Sequence, residues 1–116
     1  MPRFVILEHD HPMLHWDLML EVGEMLRTWR LARAPAGAQV IPAEALGDHR
    51  RMYLDYEGPV SGNRGSVRRW EAGTYVMEEE SADRLTVTLA GDRVRGKAVL
   101  RKGKSEEWSF EWQPSL

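Results

Sequence analysis

Apolar and polar residues alternate along much of this chain with a period of two, the signature of half-buried strands. From His15 to Val22, Trp16, Leu18, Leu20 and Val22 fall on one face, and His15, Asp17, Met19 and Glu21 on the other. Gly23-Glu24 reads as a tight turn into Met25–Leu31, so the two segments predict a hairpin. Phe4–Glu8 is a short, largely apolar strand ahead of it. Strand signals resume at Ser66–Trp70, Gly73–Glu79 and Arg84–Leu89. After a turn at Gly91-Asp92, Arg93–Arg101 sets Val94, Gly96, Ala98 and Leu100 against a basic row. Beyond a turn at Gly103, Trp108, Phe110 and Trp112 share one strand face and read as core. Short strands at this spacing predict an all-β, mainly antiparallel barrel or sandwich.

Two stretches break the period. Ala32–Gly47 is rich in Ala, Pro and Gly and predicts a loop with one helical turn near Ala43–Leu46. Pro59, Gly62, Asn63 and Gly65 mark a second irregular loop.

Bulk properties narrow the function classes. At 116 residues, the expectation is one domain over residues 1–116. A net charge of −2 argues against a broad nucleic-acid-coating surface but leaves room for a local basic patch. The absence of cysteine excludes disulfides, thiolate metal sites and thiol nucleophiles, and fits a reducing compartment. No signal peptide is visible, and no apolar stretch reaches membrane-span length. A cytoplasmic protein without a membrane partner is therefore expected.

The chemistry concentrates at the N-terminus. Three of the four histidines lie in His9-Asp10-His11 and His15-Trp16-Asp17; the fourth is His49. Residues i and i+2 of a strand point the same way, so His15 and Asp17 project together. One more imidazole, from His9 or His11, completes a set of two histidines and a carboxylate. Such a set suits Mn, Fe, Zn or Co and leaves positions open for water and substrate. Asp10 points away from both histidines and reads as a solvated loop residue. A polar surface cluster beside a turn is the alternative. His49 stands beside Arg50 and Arg51, with Tyr53 four residues on, a grouping suited to phosphate. Arg64 sits between glycines in a loop whose amides could cradle an anion. The Arg93, Arg95, Lys97 and Arg101 row reads as a solvated strand face.

The segment FVILEHDHPMLHWDLMLE, continuing through LRTW, resembles the opening of the 3′-phosphoesterase domain of bacterial and archaeal DNA ligase D. That family runs as a strand ending in His, then Leu-His-Tyr-Asp-Phe-Arg-Leu-Glu, then Leu-Lys-Ser-Trp. DHRRMYLDYEG resembles its Asp-His-Pro-Leu-Asp-Tyr stretch, and RWEAGTY its Trp-Asp-x-Gly-Thr-Trp. The resemblance implies a compact, closed or nearly closed β-barrel with a short helical turn and long loops. It implies a Mn2+-dependent enzyme that removes 3′-terminal ribonucleotides and 3′-phosphates from DNA ends in break repair. Its partners would be 3′ ends of DNA or DNA/RNA primer-templates, with a DNA ligase or other end-joining proteins. Carried over, the metal ligands are His9, His15 and Asp17, with His11 set aside. His49 is the phosphate-contacting histidine, Tyr53 accompanies it, and Arg33 takes the place of a family lysine.

The chain also departs from the pattern. A phosphate-holding arginine two positions after the metal-binding aspartate is Met19, and a second, eight positions before His49, is Ile41. The family's N-terminal extension has no counterpart ahead of the first strand. A Gly-His-Tyr-Gly-Ala-Gly loop is replaced by Gly62-Asn63-Arg64-Gly65. Arg33 and Arg64 are the expected substitute cations, with Arg50 in reserve. Two other readings stay open. One is a non-catalytic module that binds metal and DNA ends. The other is an Fe(II) oxygenase using His15, Asp17 and His49 as a facial triad.

Overall fold

The computed structural model describes residues 1–115. Its strands are β1 (Arg3–His9), β2 (His15–Val22), β3 (Met25–Leu31), β4 (Gln39–Arg50), β5 (Gly58–Pro59), β6 (Ser66–Ser81), β7 (Arg84–Gly91), β8 (Arg95–Lys102) and β9 (Trp108–Pro114). One 3-10 turn, η1 (Arg51–Leu54), follows β4. All pairings are antiparallel, in the order β1-β2-β3-β4-β9-β8-β7-β6. β6 pairs back onto β1, which closes an eight-stranded barrel, while the two-residue β5 adds to β6. Closure leaves the barrel strands without free edges.

The predicted alternation builds the interior. Phe4, Ile6, Leu18, Leu20, Trp29 and Leu31 meet Leu85, Val87, Leu89, Leu100, Phe110 and Trp112 in one buried cluster. Burying each large side chain contributes on the order of 1.5–3 kcal/mol. The C-terminal aromatics lie in the core as expected, and Trp29 meets Trp108 edge-on at 5.7 Å.

The outer face of β1–β3 is covered as well. Val5, Leu7, Met19 and Leu26 form a second buried cluster with Val67, capped by Leu54 of η1. Both faces of β2 are therefore buried at Leu18 to Leu20, and this outer cluster is the platform on which the candidate site rests.

Three local readings are corrected. Ala32–Gly47 is not all loop: β4 begins at Gln39, and Ala43–Leu46 is strand rather than a helical turn. The helical turn falls at Arg51–Leu54. Only Ile41 in β4 is fully buried, so its strand identity comes from ladders to β3 and β9 rather than from its own alternation. Pro42 fits because its carbonyl accepts the Ala32 N–H at 3.0 Å. Second, Ser66–Trp70 and Gly73–Glu79 are one strand, β6, with a register shift where Ile6 and Leu7 pair with Glu71 and Arg69. Trp70 is the extra residue of that bulge. Gly73 is required where β6 crosses β7, because a Cβ there would overlap the Ala90 carbonyl and approach Gly91 Cα to 2.8 Å. Third, Asp10 is not merely solvated: its carboxylate accepts the Ser66 N–H at 2.8 Å and so ties the β1–β2 loop to β6. That bond holds its pKa below the ordinary aspartate value.

Candidate metal centre

His9 ends β1 and His15 begins β2, and the two are direct cross-strand partners. Asp17 follows two residues later on the same face, opposite Leu7. The loop at 10–14 therefore need only reverse the chain for the three side chains to converge. The imidazole centroids lie 4.8 Å apart, and one donor atom from each residue falls within 4.8 Å of the others. His15 and Asp17 are buried and His9 is half-buried.

The orientation of each ring is fixed by a backbone carbonyl. His9 Nε2 lies 2.9 Å from the Arg64 carbonyl, and His15 Nδ1 lies 2.8 Å from that of Met13. A carbonyl only accepts, so each of these nitrogens carries the N–H. The remaining nitrogens face the Asp17 carboxylate: His9 Nδ1 at 3.4 Å from Oδ2, His15 Nε2 at 3.2 Å from Oδ2 and 3.1 Å from Oδ1. In neutral rings those nitrogens present lone pairs to an anion, an arrangement that a proton or a bound cation relieves. Asp17 Oδ1 is buried and makes no hydrogen bond. Burial works against charge on His15, but the Asp17 hydrogen bond and charge, with the Met13 carbonyl, outweigh it and raise its pKa.

Two ligands of one ion at about 2.1 Å lie about 3.0–3.4 Å apart, which the Asp17–histidine spacings match. Neutral imidazole lone pairs, a carboxylate and carbonyl-anchored N–H groups are the donor set of a first-row divalent cation. The residues therefore fit a metal such as Mn2+.

The other expected residues lie elsewhere. His11 is exposed in the β1–β2 loop. His49 pairs with Leu26 and so shares the outer face with the triad, but it is not among the three residues whose donor atoms converge. Its Nδ1 lies 2.9 Å from the Gly47 carbonyl, and its ring meets Tyr53 edge-on at 6.0 Å. Tyr53 packs on the outer cluster. Arg33 binds Gln39 Oε1 through Nε and the Val40 carbonyl through Nη2, at 3.3 and 2.9 Å. Arg64 turns its Nε to the Ser61 carbonyl at 2.6 Å, so its backbone rather than its guanidinium faces the triad. Arg50 is exposed.

Sequence reasoning missed Arg30. It is the cross-strand partner of Asp17, and its positive charge acts on His15. The signal was present: a two-residue turn at Gly23-Glu24 pairs Val22 with Met25, and counting back from there pairs Asp17 with Arg30.

A closed antiparallel barrel carrying two histidines and an aspartate on its outer face defines a β-barrel with a candidate metal centre. A profile described as the DNA Ligase D 3′-phosphoesterase domain matches residues 7–102, and the chain belongs to that family. It is 25% identical to the multifunctional non-homologous end joining protein LigD of Pseudomonas aeruginosa over 91% of its length. It is 29% identical to the multifunctional non-homologous end joining DNA repair protein LigD of Mycobacterium tuberculosis over 90%, and 28% identical to LigD of Mycolicibacterium smegmatis over 91%. The chain spans only 14%, 15% and 16% of those three proteins.

Proposed function

We propose that this chain is a divalent-metal-dependent phosphoesterase that trims 3′ ends of DNA in repair. The observation that carries this reading is the triad itself: two imidazoles, each anchored by a carbonyl, turn their free nitrogens to a carboxylate with an unpartnered oxygen. Membership of the ligase D phosphoesterase family supports the substrate class.

His9 Nδ1, His15 Nε2 and an Asp17 oxygen would hold Mn2+. When bound, the ion supplies positive charge that polarises a phosphoryl oxygen and orients the attacking water. Asp17 and His15, both buried, keep that charge from being screened by solvent. His49 would donate a proton from its ring to the phosphate or to the departing oxygen, and Tyr53, edge-on to it, would orient that ring. Arg33 and Arg64 would add positive charge at the rim. Water attacks phosphorus and the 5′ oxygen of the terminal nucleoside leaves with a proton, giving a free nucleoside and a 3′-phosphate end; a second hydrolysis of that end gives a 3′-hydroxyl and inorganic phosphate. The partners in this reading are 3′ DNA ends and an end-joining ligase, and the compartment is the cytoplasm. No helix among the described residues is long and apolar enough to cross a membrane.

The test is hydrolysis of primers ending in one ribonucleotide or a 3′-phosphate, with Mn2+ or EDTA. Turnover is expected with Mn2+ alone, and lost in His15→Ala and His49→Ala variants. A second reading, an end-binding module without turnover, is favoured by one observation. Met19, where the family places a phosphate-holding arginine, is buried in the outer cluster at 2% exposure. Multiple turnover excludes that reading.

A further inference from the structure

Arg30 differs from the other arginines near the centre. Its Nε is buried and makes no hydrogen bond. Its nearest carboxylate oxygen, Glu44 Oε1, lies 3.7 Å from Nη1, too far for one. Arg33 and Arg64 spend their guanidinium groups on their own loops. The side chain is 36% exposed, so its Nη groups, which make no hydrogen bond, are the donors that an acceptor arriving from solvent can meet.

The position is also apt. Asp17 and Arg30 are paired across β2 and β3 on the outer face, and Met19 pairs with Thr28, two residues before Arg30. Arg30 thus returns a guanidinium to the neighbourhood that Met19 leaves without one. It lines a cleft of about 390 Å³ with His15, Met13, Leu14, Pro42 and Glu44, whose carboxylate an arriving phosphate would displace from the guanidinium. His15 belongs to both cleft and metal centre, so a group in the cleft adjoins whatever the metal binds. The cleft walls are mainly apolar, and Met13 and Leu14 stand 78% and 55% exposed. Such a surface suits a sugar and base better than a second phosphate.

We infer that Arg30 is the cation that meets the scissile phosphate, and that the cleft beside it seats the nucleoside esterified to that phosphate. The inference rests on the phosphoesterase reading. A planar guanidinium gives a phosphate two parallel charge-assisted hydrogen bonds, which a lysine cannot reproduce.

Binding tests it separately from turnover. The full chain is titrated, with Mn2+, against a labelled 3′-phosphate primer whose bridging 3′ oxygen is replaced by methylene so that it cannot be hydrolysed, and read by fluorescence anisotropy. Arg30→Gln is expected to weaken binding about tenfold or more, and Arg30→Lys to restore part of it. Calorimetric Mn2+ affinity should be unchanged in both. Leu14→Asp should weaken the primer while leaving competition by inorganic phosphate intact. Arg30→Gln binding as tightly as the parent overturns the proposal, as does an equal loss of Mn2+ affinity, which would mark a merely structural role. Arg30-dependent binding without hydrolysis of the unmodified primer by the parent retires the phosphoesterase reading and leaves Arg30 standing. A parent that binds no 3′-phosphate primer removes both.

Discussion

His9 Nε2 donates to the main-chain carbonyl of Arg64, 2.9 Å away and fifty-five residues along the chain. A candidate metal ligand is thus aimed by the backbone of a loop, not by a side chain. That loop is held by a Val60 N–H to Gly65 carbonyl bond of 2.8 Å and passes through left-handed conformations at Gly62, Asn63 and Gly65. At Gly65 (φ +71°) a Cβ would overlap the Asp10 carboxylate and lie 2.7 Å from His11 Cβ. Gly65→Ala should therefore displace the Arg64 carbonyl and lower Mn2+ affinity by about 10–100-fold, the usual cost of losing a ligand's outer partner. Arg64→Ala keeps the carbonyl and should bind Mn2+ like the parent. Calorimetric titration of the two variants decides: equal affinities would falsify the backbone tether.

Glu71 controls stability at a distance from the site. It is buried, and its carboxylate accepts N–H groups of Ala72 (2.8 Å), Asp92 (3.2 Å), Val94 (2.6 Å) and Arg93. The acid thereby closes the β7–β8 turn. Gly91 makes room for it, since a Cβ there would come within 2.5 Å of the Glu71 carboxyl carbon. Glu71→Ala leaves these donors without a partner and should cost about 3 kcal/mol or more. Urea unfolding should show the loss, while the Mn2+ affinity of the folded variant stays at the parent value. A change below about 1 kcal/mol would mean that water replaces the carboxylate.

How far the sequence reached depended on whether a signal was local. The β2–β3 hairpin and the alternating C-terminal strands were legible because side-chain period and turn chemistry agree there. β4 was not, because its Ala, Pro and Gly residues carry no period and the strand exists through ladders to β3 and β9. His15 and Asp17 could be paired from i, i+2 spacing alone. Spacing left His9 and His11 open and only the family resemblance chose His9; in the fold, β1 ends at His9, opposite Val67 of β6. The orientation of Arg64, carbonyl inward and guanidinium outward, is tertiary and left no trace in the sequence.

Acid sensitivity should arise partly at Glu21, away from the candidate metal centre. The Arg3 backbone N–H, then the Arg51 guanidinium, hold its carboxylate below the ordinary value of 4.5. A depressed folded-state pKa contributes stability that is fully present above the unfolded value and disappears as pH falls through the folded one. Stability measured from pH 6 downward should therefore fall below about pH 4.5. Glu21→Gln should be less stable at neutral pH and show a shallower decline. Parallel curves for parent and variant would remove Glu21 from the account.

Asp17 should decide whether the metal stabilises the fold. With His9 Nδ1 and His15 Nε2 turned towards its carboxylate, the free protein holds anion and lone pairs in one buried place. A cation that binds only the folded barrel stabilises it by mass action, by about 2.7 kcal/mol at a hundred times its dissociation constant. Mn2+ should therefore raise the Tm of the parent in thermal unfolding, and EDTA should reverse the rise. Asp17→Asn keeps the shape but removes the negative charge and one acceptor oxygen. Its Tm should hardly respond to Mn2+. In EDTA the variant should unfold near or above the parent, because an amide N–H can donate to a ring nitrogen that faces a carboxylate now. A variant that loses stability in EDTA yet keeps the full Mn2+ response would show that the carboxylate serves the fold and not the ion.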